Sequence, residues 1–113
     1  MIDREKFKEN FIYLDKEVVI EIIDIFLSEY AERLTAIQKN IIEQNFKGLK
    51  FNAHSLKGVI ANFMDPLCIE LSRRLDEQAK DEKSNGLQEL FDNLKRETES
   101  LVKELREIKE DFT

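Results

Sequence analysis

The chain reaches residue 48 before its first glycine and residue 66 before its only proline. Gly58 and Gly86 are the other glycines. Strand-rich domains reverse direction every few residues and need Gly, Pro and their turn-forming companions to do so. Three glycines and one proline in 113 residues fall far short of that requirement, so the chain is expected to be all-α.

Apolar spacing divides the chain into helices. Phe7, Phe11 and Ile12 predict a short leading helix over 3–12. Asp15 is expected to cap a long helix over about 16–44, its carboxylate taking free amide hydrogens. Val19, Ile23, Phe26, Tyr30, Leu34, Ile37 and Ile41 recur along that helix every three or four residues. Val18, Ile20, Ile22, Ile25 and Leu27 widen its apolar arc well beyond one stripe. Phe7 and Phe11 are expected to cover part of the excess, and the remainder is a candidate docking surface.

"NFKG" (45–48) reads as a joint before a third helix over about 47–63. Asp65 and Pro66 then read as the cap and first residue of a fourth helix, where proline's missing amide hydrogen costs nothing. That helix is expected to turn Leu67, Leu71, Leu75 and Ala79 inward. After "DEKSNG", with Asn85 and Gln88 resembling a capping pair, Leu87, Leu90, Phe91, Leu94, Leu101, Leu105 and Ile108 form a near-heptad seam. Short joints force antiparallel neighbours, which predicts one domain over 1–113, an up-down four-helix bundle with a short extra N-terminal helix. The closing seam could instead zip two copies into a coiled coil. Its use as the bundle's fourth wall is the simpler arrangement, and the chain is expected to be a monomer.

Charge and composition then exclude function classes. A net charge of −6 repels a phosphate backbone, so nucleic acid is not the expected partner. No apolar run approaches the roughly 20 residues that span a bilayer, and "MIDREKFKEN" is too polar for a signal peptide. A cytoplasmic location away from membranes is therefore expected. Cys68 is the only cysteine, which excludes an internal disulfide and a Cys-based zinc site, and it reads as a small buried hydrophobe.

The single histidine, His54, lies in "FNAHSLKGVIANF" (51–63). At about 100° per residue, Leu49, Ala53, Leu56, Ile60 and Phe63 fall on the side opposite His54. A core role for the histidine fits poorly. Lys47, Lys50, Lys57, Gly58 and Ala61 share its side, with Phe51 on the flank. Three lysines, with no second histidine or carboxylate pair at ligand spacing, fit a metal site poorly too. Gly58 costs the helix roughly 1 kcal/mol relative to alanine, a cost accepted where bare backbone must be approached closely. Lys57 sets a cation one turn away. An imidazole that is nucleophilic near neutral pH, with space above it and a cation beside it, suits a transiently bound anionic group such as phosphoryl.

"AHSLKG" (53–58) resembles the signature of the histidine-containing phosphotransfer (Hpt) domains of two-component phosphorelays. The resemblance runs through the leading helix, "LDKEVVIEIIDIFLSEYAERL", "FKGLKFNAHSLKG", "LSRRLD" and the long closing helix. It implies that His54 accepts a phosphoryl group on Nε2 from a receiver-domain aspartyl-phosphate, or from a histidine kinase, and passes it to a response-regulator aspartate. Lys57 would neutralise the phosphoryl oxygens, and Gly58 would leave room for the group and the incoming receiver. Receiver domains and an upstream hybrid sensor kinase are the implied partners. Docking would use Val18, Ile22, Ile25, Lys47, Lys50, Phe51 and Ala61. No cofactor of the chain's own is expected, Mg²⁺ being supplied by the receiver.

Two positions depart from the family pattern. Met64 stands where many members have glycine, and Leu75–Asp76 replaces a common Leu–Glu pair. In some relatives that glutamate supports the histidine's second nitrogen. Asp76 is one methylene shorter, which leaves both ring support and a plain helix-surface aspartate open. No Gly-rich phosphate loop is present, so the expectation is a phosphocarrier without kinase activity. The alternative is a helical adaptor that binds a partner without phosphotransfer.

Overall fold

The computed structural model describes residues 1–112. Helix α1 spans Arg4–Phe11, α2 Lys16–Glu43, α3 Phe46–Ile60, α4 Pro66–Lys80 and α5 Leu87–Phe112, with a single 3-10 turn, Ala61–Phe63, extending α3. No strand occurs among the described residues. Helices α2 to α5 form an antiparallel ring. Asn40 meets Asn52 and Arg33 meets Ser55, while Phe26 packs against Phe63 with tilted rings whose centroids are 5.0 Å apart, so numbers rise on α2 as they fall on α3. The pairs Lys50–Glu82 and Lys57–Asp76 set the same sense for α3 and α4. Gln38–Gln88 and Asp24–Lys109 close the ring between α2 and α5. The result is a rod of 42 × 22 × 21 Å.

The stripes meet along the axis. Ile23, Phe26 and Ile37 of α2, Leu49, Leu56 and Ile60 of α3, Phe63, Leu75 of α4, and Phe91, Leu94, Leu101 and Leu105 of α5 are fully buried. Each such side chain contributes about 1.5–3 kcal/mol relative to exposure. All seven residues of the closing seam are buried within this one chain, so the seam is the bundle's fourth wall. Cys68 is buried as expected, its thiol donating to the Glu97 carbonyl, and burial pushes its pKa up.

Some element ends differ from expectation. Helix α3 starts at Phe46, because Asn45 accepts from the Gly48 amide and caps it, which narrows the joint to Gln44 and Asn45. Its regular part ends at Ile60, and Met64 then takes the left-handed conformation (φ 58°) that turns the chain into α4. Asp65 caps α4 through the Cys68 amide, with Pro66 opening the helix. Asp15 occupies the cap position of α2, but its side chain makes no cap bond; only its carbonyl accepts, from Val18 and Val19. Leu67 is not inward: Cys68, Leu71, Ser72, Leu75 and Ala79 define the buried stripe of α4, and Leu67 falls to its side. The Asn85–Gln88 capping pair does not form, because Gln88 bonds Gln38 and Asp92 instead.

The N-terminal segment packs across one end. Phe7 and Phe11 are buried, the Asp3 amide donates to the Met64 carbonyl at 2.7 Å, and Asn10 donates to the Asn62 carbonyl. Both phenylalanines line a hollow with Val19, so α1 covers that end of α2 and leaves Val18 and Ile25 outside.

Candidate functional site

Helix α3 carries the site because its apolar stripe is anchored on both sides. Leu49, Ala53, Leu56 and Ile60 face the core, which fixes the rotation of the helix and turns His54 outward. The His54 side chain is 67% exposed. Gly58 and Ala61 continue the same face, and a methyl group built on Gly58 would meet no atom within 4 Å beyond its own stretch of helix. Nothing inside the bundle therefore requires glycine there. The strip beyond the ring is open from the solvent side.

The inner side of the ring is different. Asp76, one turn before the end of α4, is only 1% exposed, and its Oδ1 stands 3.5 Å from His54 Nδ1. That oxygen makes no hydrogen bond. Its companion Oδ2 accepts from Lys57 Nζ at 2.9 Å and lies 3.2 Å from Lys80 Nζ. Burial pushes the Asp76 carboxyl up, but the two lysines outweigh it and hold the group below the ordinary carboxylate range. Asp76 is thus a buried anion under the histidine and not a helix-surface aspartate. Lys80 completes the cluster, and the helical spacing around His54 gives no sign of it because it lies on α4.

A neutral imidazole has one protonated nitrogen and one bare one, selected by whatever accepts the proton-bearing side. An ionised, otherwise unpartnered oxygen facing Nδ1 favours the proton there. Nε2 then carries the lone pair, on the outward side. The 3.5 Å separation is at the outer edge of hydrogen-bond reach, as resting sites often are before a partner closes on them.

The remaining candidate residues divide into two groups. Lys47, Phe51 and Ala61 are exposed on the histidine's own face, Phe51 by 76%, while Lys50 pairs with Glu82 of the α4–α5 joint at 3.4 Å. Val18 and Ile25 are exposed on α2, and Ile22 is half-buried. Arg33, level with Ser55, marks the height of His54 on α2. At 1.5 Å per residue, Ile25 lies about 12 Å and Val18 about 22 Å further along the bundle. The structure lines Phe51, His54, Lys57, Gly58 and Ala61 along the outer side of α3, with Ala61 about 10 Å from His54 along the axis, and sets the α2 residues on the neighbouring helix, Ile25 near the height of Phe63. Arg33 itself flanks the site, held by Glu29 and Ser55.

No three His, Cys, Asp or Glu side chains gather as a metal cage among the described residues. No described helix is long and apolar enough to cross a membrane. In comparisons with known proteins, no curated protein and no solved structure matches the chain. The family model described as "Hpt domain" matches residues 21–108.

Proposed function

The chain belongs to the Hpt domain family, whose members carry out histidine phosphotransfer in phosphorelays, and on that premise we propose that it is a relay intermediate phosphorylated on His54 Nε2. The observation that carries this reading is the division of the ring's two sides. Nδ1 stands 3.5 Å from the unpartnered, buried Oδ1 of Asp76, while the exposed ring shares the outer face of α3 with Gly58 and Ala61, where a side chain on Gly58 would meet nothing of the bundle.

The reaction follows from that division. A receiver's aspartyl-phosphate approaches over Gly58. The Nε2 lone pair attacks phosphorus, the P–O bond to the acyl oxygen breaks, and its electrons leave as the receiver's carboxylate. The proton stays on Nδ1, so the ring becomes a phospho-imidazolium whose positive charge faces Asp76. A second receiver carboxylate reverses the step, and the N–P electrons return to Nε2. Lys57, one turn from the ring, neutralises phosphoryl oxygens in this scheme. Mg²⁺ belongs to the receiver in this scheme. Phe51, Lys47 and Ala61 border the contact, and the α2 strip of Val18, Ile22 and Ile25 extends it. The upstream donor is a receiver or histidine kinase, and the bundle acts as a cytoplasmic monomer.

The test is transfer from phosphorylated receiver domains. A phosphate that is labile to acid and stable to base should form on the protein and vanish in His54→Gln. Failure to transfer with every member of a broad receiver panel would favour the adaptor instead.

A further inference from the structure

We propose that Lys80 is a positioning residue whose task is to release Lys57 from Asp76 when a phosphoryl group arrives on His54. The inference rests on the phosphotransfer reading above and extends it to a residue outside the histidine's helix.

Asp76 Oδ2 holds two ammonium groups at once, Lys57 Nζ at 2.9 Å and Lys80 Nζ at 3.2 Å. The two differ in where they are rooted. Lys57 is on α3, three residues from His54, and can swing between Asp76 and a group on Nε2. Lys80 sits one turn beyond Asp76 on its own helix, so its pairing is undisturbed by what happens over the histidine. Asp76 is almost wholly removed from water, and a buried carboxylate stripped of its cation is strongly disfavoured. With one lysine on Oδ2, that lysine would be held there. With two, one can leave.

Both states of the site are then balanced. At rest, both lysines share Oδ2, and Oδ1 is turned to Nδ1. After transfer, Lys57 moves to the phosphoryl oxygens, Lys80 keeps Oδ2, and Oδ1 faces the proton of the phospho-imidazolium. The surface alternative, that Lys80 forms a plain i,i+4 helix pair, predicts no coupling to Lys57.

The discriminating experiment is a double-mutant cycle on the full chain. Lys57→Gln, Lys80→Gln and the double variant are phosphorylated with phosphoramidate, which gives up its phosphoryl group and releases ammonia, and separately with a phosphorylated receiver. The expected single effects on maximal transfer rate are about tenfold for Lys57→Gln and about threefold for Lys80→Gln, with the receiver's KM unchanged. Because Lys80 acts through Lys57, the double variant should be no slower than Lys57→Gln alone, and Lys80→Arg should restore the wild-type rate. Lys103→Gln, which removes a charge from exposed α5, should change nothing. Multiplying effects in the double variant, or an unaltered rate in Lys80→Gln, would overturn the proposal and leave the function standing. If the wild-type chain accepts phosphoryl from neither donor, the function and this inference fall together.

Discussion

At the scale of single residues, Gly58 separates stability from function. Glycine within a helix costs roughly 1 kcal/mol relative to alanine, and here the missing side chain would meet nothing in the bundle. Gly58→Ala should therefore raise the unfolding free energy by about 1 kcal/mol in a denaturant titration. Gly58→Gln should retain the fold and slow transfer from a receiver by at least about tenfold, since the longer side chain fills the strip over the ring. Opposite signs on the two readouts are the signature of a glycine kept for an external partner. A Gly58→Gln chain that transferred at the wild-type rate would remove the close-approach argument. The helical phase was enough to read His54, Lys57, Gly58 and Ala61 onto one outer face. It could not place Asp76 beneath the ring, because phase orients one helix and says nothing of which residue its neighbour brings to that height. Twenty-two positions separate His54 from Asp76, and only the register of α3 against α4 joins them.

At the scale of elements, strong periodicity was legible and helix ends were less so. The stripes of α3 and α5 are buried as their spacing implies, since a stripe integrates many residues. A cap depends on one side chain and on the direction from which the chain enters. Asp65 bonds the Cys68 amide as its sequence context suggests, whereas Asp15, an equally good cap residue, does not bond its helix. Leu67 lies outside because Cys68, Leu71, Ser72, Leu75, Asp76 and Ala79 centre the buried stripe about 110° away from it at 3.6 residues per turn. Met64 is the instructive departure from the family. Its left-handed φ of 58° is where glycine is most at ease, so the expected family glycine marked a backbone requirement that this chain meets with methionine. Gln44 closes α2 in the same conformation (φ 53°) with an exposed side chain. Gln44→Gly should relieve about 1 kcal/mol of left-handed strain and lose part of it to the greater freedom of the unfolded chain. A net gain of about 0.5 kcal/mol is expected, readable as a higher denaturant midpoint with an unchanged slope. A lower midpoint would show that the Gln44 side chain contributes more than its exposure suggests.

At the scale of the whole molecule, the cluster beneath His54 links chemistry to the pH dependence of folding. Lys57 reaches Asp76 from α3 and Lys80 reaches it along α4, so the charged cluster is also a joint between two walls of the bundle. Burial alone would raise the Asp76 carboxyl, yet the lysine contacts leave it depressed, so the folded state prefers the ionised form more than the unfolded chain does. A depressed carboxyl contributes stability that is fully present above its unfolded pKa, near 4, and is lost as pH falls through the lower folded value. Asp76→Asn removes the charge and resembles the protonated state at every pH. The variant should unfold about 1 kcal/mol more easily than wild type between pH 5 and 7, a modest figure because both lysines retain access to water. Below pH 4 the two stability curves should converge as Asp76 protonates in the wild type, which urea titrations at pH 7, 5 and 2.5 would follow. A gap as wide at pH 2.5 as at pH 7 would mean that Asp76 acts through packing and hydrogen-bond geometry. In that case its charge would be free to serve the histidine alone, and the fold would owe it nothing.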